Sequence, residues 1–167
     1  HDALPIFVPA ATSYQIYRST AKDGDYQNIK TINSVGTSSW TDGSVKTGKT
    51  YYYKIKTVVK TQNGEQTSGF SNVKSAKAVP AKTTLKAKAS DAKNVKLTWS
   101  KVKGASGYEI YRSNSKDGKC SKVKTISKGS TTSYKNGKLK KSTTYYYKIR
   151  AYRKVNGKKV YGSYSSV

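Results

Sequence analysis

Acid–base and nucleophilic chemistry near neutral pH draws on imidazole, thiol or carboxylates held close together. This chain of 167 residues offers one His and one Cys, and sets 8 Asp+Glu against 33 Lys+Arg for a net charge of +25. The one imidazole is His1, at the first position. Asp23, Asp42 and Asp117 stand in turn contexts, where a carboxylate bonds its own backbone. Glu109 lies between core positions of a predicted strand and is expected to point outward beside Tyr111. Cys120 is read as a buried or half-buried structural thiol, because free Cys behaves as a small hydrophobe. A single Cys also excludes an internal disulfide and a thiol-rich metal site. The sequence therefore predicts no catalytic, cofactor-binding or metal-ligating residue and no enzyme.

The chemistry that remains is cationic, and it is unequally shared. Residues 80–167 hold 23 Lys+Arg against 3 acids, whereas residues 8–79 hold 10 against 4. Within 145–152 the alternation places Tyr145, Tyr147, Ile149 and Ala151 on one face and Tyr146, Lys148, Arg150 and Tyr152 on the other. With Lys154, Lys158 and Lys159 in the next hairpin, these last four residues form a candidate surface for polyanions or glycans. A plain solvated face in which Tyr favours strands and Lys blunts aggregation explains the same pattern. Charge alone implies nonspecific attraction to polyanions. Cations beside aromatics would also suit nucleic acid, but no base-reading module and no phosphate-cradling Gly-rich loop is present.

The elements that position these residues come in two copies. At a shift of 94 residues, Tyr14-Gln15-Ile16-Tyr17-Arg18-Ser19 overlies Tyr108-Glu109-Ile110-Tyr111-Arg112-Ser113. Likewise Thr50-Tyr51-Tyr52-Tyr53-Lys54-Ile55 overlies Thr144-Tyr145-Tyr146-Tyr147-Lys148-Ile149, and the aligned stretch shares 26 identities in 66 positions. Self-similarity of this kind marks a duplication. Val79-Pro80-Ala81 reads as the linker before the second copy.

Each copy reads as β. In Asn94-Val95-Lys96-Leu97-Thr98-Trp99 the apolar residues fall at every second place, the period of a half-buried strand. Asp23-Gly24 and Asp117-Gly118 stand where strands must reverse, with Gly expected to supply a positive φ, and Asn63-Gly64 and Asn156-Gly157 recur near the end of each copy. No window keeps helical spacing. Low apolar content leans toward disorder, but 15 Tyr and 2 Trp argue for a packed core. Short strands punctuated by turns predict an all-β sandwich.

The second copy resembles a fibronectin type III domain of the kind found in tandem on bacterial surface and secreted proteins. The likeness rests on the Leu97-Thr98-Trp99 strand, on Gly107 to Arg112 after the Val102 to Ala105 turn, and on Leu139 followed by Tyr145 leading into Tyr147, Ile149 and Ala151. That spacing matches the family's tyrosine corner; Val45 and Tyr51 hold the corresponding places in the first copy. The resemblance implies two tandem immunoglobulin-like β-sandwiches, the first lacking its opening two strands and the second stopping inside its last. It also implies a non-catalytic spacer or adhesion module, extracellular or in the cell wall, beside neighbouring domains of a longer parent. Anionic wall polymers or glycans would be its partners, with a carbohydrate-binding accessory module or a nucleic-acid binder as alternatives.

The expected domains are 8–79 and 80–167. His1-Asp2-Ala3-Leu4-Pro5-Ile6 is the translation of a common sequencing-adapter end, so 1–7 are expected to be adapter-derived and are set aside from the fold. No apolar run reaches the roughly 18 residues of a membrane span, and no cofactor is called for.

Overall fold

The computed structural model describes residues 11–167, and over them the alternating pattern folds into twelve strands and no helix. The expected adapter segment lies outside the described residues. The chain divides after Ala78 into two compact units, His1–Ala78 and Val79–Val167.

The second unit is a two-sheet sandwich. Strands β6 (Leu85–Asp91), β7 (Asn94–Trp99) and β10 (Ser133–Asn136) form a three-stranded sheet in the order β10-β7-β6. Strands β8 (Gly107–Ser113), β9 (Ser121–Ile126), β11 (Tyr146–Val155) and β12 (Lys158–Tyr161) form the other sheet in the order β12-β11-β8-β9. Three antiparallel strands facing four is the fibronectin type III arrangement, as the resemblance implies. The core between the sheets contains Leu97, Trp99, Val102, Tyr108, Ile110, Tyr147, Ile149 and Ala151. Tyr145 packs at its margin, and its hydroxyl oxygen accepts the Lys140 backbone N–H at 3.0 Å.

The first unit repeats only one of the two sheets. Strands β1 (Ser13–Ser19), β2 (Gln27–Ile32), β3 (Thr50–Thr61), β4 (Gly64–Thr67) and β5 (Lys74–Lys77) make one five-stranded sheet, β2-β1-β3-β4 with β5 also on β3. The duplication extends to register: Ile16 faces Ile55 as Ile110 faces Ile149, and each first strand shifts register at the next residue, Tyr17 or Tyr111. The corner recurs too, with the Tyr51 hydroxyl accepting the Lys46 N–H at 3.1 Å. Among the described residues this unit has no counterpart of β6 and β7. Residues 39–42 align with β10 yet form no strand, because β10 is held only by β7.

Two of the turn glycines act differently from expectation. Gly24 and Gly118 do not have positive φ. They are small because the chain doubles back tightly: a Cβ on Gly24 would lie 2.9 Å from Ser19 Oγ, and one on Gly118 would lie 2.7 Å from Ser113 Oγ. Those two hydroxyls also accept the backbone N–H groups of Ala21 and Ser115. At the later hairpins the expectation holds, with φ of 110° at Gly64 and 76° at Gly157.

Candidate functional site

Alternation along β11 sends Tyr146, Lys148, Arg150 and Tyr152 to the outer face of the four-stranded sheet, away from Tyr147, Ile149 and Ala151. Register then decides what each one meets. Arg150 stands opposite Glu109 on β8, Lys148 opposite Tyr111, and Tyr152 between Gly107 and Tyr161.

Glu109 does point outward beside Tyr111, yet it is only 1% exposed because the neighbouring strands close over it. Arg150 donates to its Oε2 at 2.9 Å and the Tyr111 hydroxyl donates to the same oxygen at 2.8 Å. Lys159 reaches Oε1 at 3.0 Å and Lys122 at 3.5 Å, while the Tyr161 hydroxyl adds a contact at 3.3 Å. Burial by itself would raise the carboxyl pKa, but the hydrogen bonds from Arg150, Tyr111 and Lys159 outweigh it and hold Glu109 at about 2. Burial and hydrogen bonding to Glu109 in turn push the Tyr111 phenol up, and the same carboxylate raises Lys159.

The rings on this face are occupied as well. The Arg150 guanidinium sits 3.7 Å from the Tyr161 ring centre and 4.9 Å from that of Tyr164, and the Lys148 ammonium sits 4.5 Å from the same Tyr164 ring. Tyr111 meets Tyr164 edge-on, with centroids 5.2 Å apart. Such cation–π and edge contacts lock the side chains into one ladder.

Tyr152 departs from the expected surface. It is only 1% exposed: its ring reaches over Gly107, where no side chain stands, and its hydroxyl approaches the Ile126 carbonyl at 3.4 Å. A Cβ at Gly107 would come within 2.6 Å of the Tyr152 hydroxyl, and Lys159 covers the ring at 4.4 Å. Arg150 and Lys159 are likewise spent on Glu109. Of the seven candidate residues only Arg150 and Lys159 have a carboxylate partner among the described residues, and of the other five Tyr152 is buried, which leaves Tyr146, Lys148, Lys154 and Lys158. Lys154 and Lys158 are exposed, and Tyr146 and Lys148 are half-buried.

A second cationic face was not expected from the sequence. On β6, Leu85, Ala87 and Ala89 pair with Trp99, Leu97 and Val95, so Lys86 and Lys88 take the opposite, solvent side. Lys88 stands directly opposite Lys96, and Lys96 directly opposite Lys135 on β10. The alternation of Lys86 and Lys88 with alanines was the available signal, but the pairing of three separate strands is not written in any local window.

Among the described residues no cluster of three or more His, Cys, Asp and Glu could hold a metal ion, and no helix is long and apolar enough to cross a membrane. No protein-family model and no curated protein matches the sequence. Solved structures do resemble it. The FN1-FN3 domains of chicken CNTN1 align with 92% of this chain and 53% of that one, at 20% identity and a TM-score of 0.45. A two fibronectin type-III domain segment from chicken tenascin aligns with 93% of this chain and 84% of that one, at 15% identity and a TM-score of 0.45.

Proposed function

We propose that this chain is a non-catalytic pair of extracellular spacer or adhesion modules whose second unit attracts anionic polymers through charge. One observation carries the reading: 23 Lys+Arg against 3 acids in residues 80–167, with Lys86, Lys88, Lys96 and Lys135 exposed on one sheet and Lys122, Lys154 and Lys158 exposed on the other. A field of one sign concentrates counterions and polyanions without any shaped pocket. Stacking on neutral sugars or bases is disfavoured on the β11 face, since Arg150 engages the Tyr161 and Tyr164 rings. Wall phosphate polymers and anionic glycans are the polymers an exported bacterial module would meet.

The test is a titration of the full chain with a phosphate polymer, a heparin-like glycan, duplex DNA and a neutral polysaccharide at low and raised salt. Binding to the three polyanions, fading steeply with salt, and none to the neutral polymer is the expected result. Salt-resistant binding to one glycan, removed by Tyr146→Ala and kept by lysine neutralisation, would replace it with the carbohydrate-binding reading. No binding at low salt would leave only the spacer role.

A further inference from the structure

The outer face of the three-stranded sheet carries a feature that sheet stability does not explain. Lys88, Lys96 and Lys135 form one cross-strand row over β6, β7 and β10, and all three are exposed. Like charges directly opposite one another destabilise a sheet. Lysines on the edge strands β6 and β10 can serve to block edge-to-edge association, but Lys96 lies on the central strand β7, which has no free edge. The next row holds Lys86 opposite Thr98, and Thr98 opposite Ser133, which adds a fourth cation.

Counter-charge at this row is slight. Asp91 approaches Lys135 at 3.7 Å with both side chains exposed, and its oxygens are already bonded to the Lys93 N–H and the Asn94 amide in its own turn. The contrast with the β8–β11 face is direct, because there a single buried carboxylate pairs with three cations, Arg150, Lys159 and Lys122.

From this row we infer that the outer face of β10-β7-β6 is the seat of the polyanion, and that the occupant is a single flexible phosphate chain lying across the strands. The row sets three ammonium groups on strands about 4.8 Å apart, a spacing suited to closely spaced charges on one thin chain. No aromatic ring faces outward beside it: Tyr134 pairs with Leu97 and packs on the core side, so the face has nothing to stack a base or a sugar. Lys acts as a compact point charge toward phosphate. The inference rests on the electrostatic reading above and narrows it to one face and one polymer class.

Its test uses the full chain and long-chain inorganic polyphosphate. The row variant Lys88→Gln/Lys96→Gln/Lys135→Gln is compared with a control of equal charge, Lys116→Gln/Lys119→Gln/Lys128→Gln, whose residues are exposed outside the strands. The row variant should bind at least about tenfold more weakly at low salt, and its dependence of log K on log salt should become shallower by about 2, while the control changes little. Lys96→Gln alone should weaken binding measurably and raise the unfolding midpoint of the free chain, since it relieves repulsion. Equal losses in row and control variants would overturn the assigned face and leave the general attraction standing. Absence of polyphosphate binding by the unaltered chain would overturn both. Tighter, equally row-dependent binding of duplex DNA or a heparin-like glycan would overturn the choice of a phosphate chain.

Discussion

Each unit buries one carboxylate around the same four-strand motif, but on opposite sides of it. In the first unit Asp42 faces inward, where Arg18 donates to it at 2.7 Å and the Tyr53 hydroxyl at 3.0 Å. The second unit has Asn136 there, taking the Arg112 and Tyr147 donors at 3.1 and 2.9 Å. On the outer face the exchange is reversed: the second unit has Glu109 and the first has Gln15, which accepts only the Tyr17 hydroxyl at 2.9 Å. The cations explain the swap. Arg150 and Lys159 of the second unit correspond to Lys56 and Glu65, so a carboxylate at position 15 would face an acid where Glu109 faces Lys159. A repeated scaffold thus fixes where a buried polar group sits, while its charge follows the side chains that the other strands bring.

A second difference lies in burial. Ile149 is fully buried, whereas its counterpart Ile55 is 39% exposed beside an open cleft of about 960 Å³ that Ile16, Tyr51 and Tyr53 also line. The largest expected effect breaks this pairing. Trp99→Ala should cost roughly 3–5 kcal/mol and Ile149→Ala about 3 kcal/mol, as large-to-small changes in a packed core. Ile55→Ala should cost less than about 1 kcal/mol, because a partly exposed side chain loses little on truncation. Denaturant unfolding read by hydrogen exchange on peptides from each unit separates them, and equal costs at 55 and 149 would refute the difference in packing.

Next in size is the buried carboxylate. Glu109→Gln should cost about 3 kcal/mol, since it strips the charge that partners Arg150 and Lys159. The pH profile sharpens the test. A carboxyl held at about 2 in the fold and titrating near 4.5 when unfolded stabilises fully above the higher value. That contribution, about 3 kcal/mol, drains away as pH falls from 4.5 toward 2. Glu109→Gln should flatten this acid loss in the second unit only. Asp42, held at about 2 by Ser44, Arg18 and Tyr53 against its burial, should keep the first unit acid-sensitive until it is changed to Asn. An acid slope that both variants leave untouched would show that neither carboxylate governs it.

The smallest effect tests what the units share. Tyr145→Phe and Tyr51→Phe each remove an acceptor for one backbone N–H and should each cost about 1 kcal/mol. Thermal unfolding of the two variants checks this, and a tolerated loss in one unit alone would show that the corner is not equivalent in both.

What could be read from the chain follows from range. The two-residue period of Val95, Leu97 and Trp99 and the repeat itself are local or self-comparing signals, so the strands, the core of the second unit and the tyrosine corners were legible. The outward side of Tyr152 was legible too. Its burial was not, because that depends on Gly107 standing across the sheet 45 residues earlier. Glu109 was placed on the right face, but the cations that close over it come from β9, β11 and β12, and no window holds them together. The lysine row escaped for the same reason, since only register aligns residues 88, 96 and 135.

The contrast between the units also has an optical consequence. The chain has two tryptophans, and each unit holds one: Trp99 is 6% exposed in its core and Trp40 is 37% exposed. An indole among apolar side chains emits to the blue of one in contact with water. The molecule therefore carries a built-in label on each half, and loosening of the second unit's core would shift only the blue component of its fluorescence.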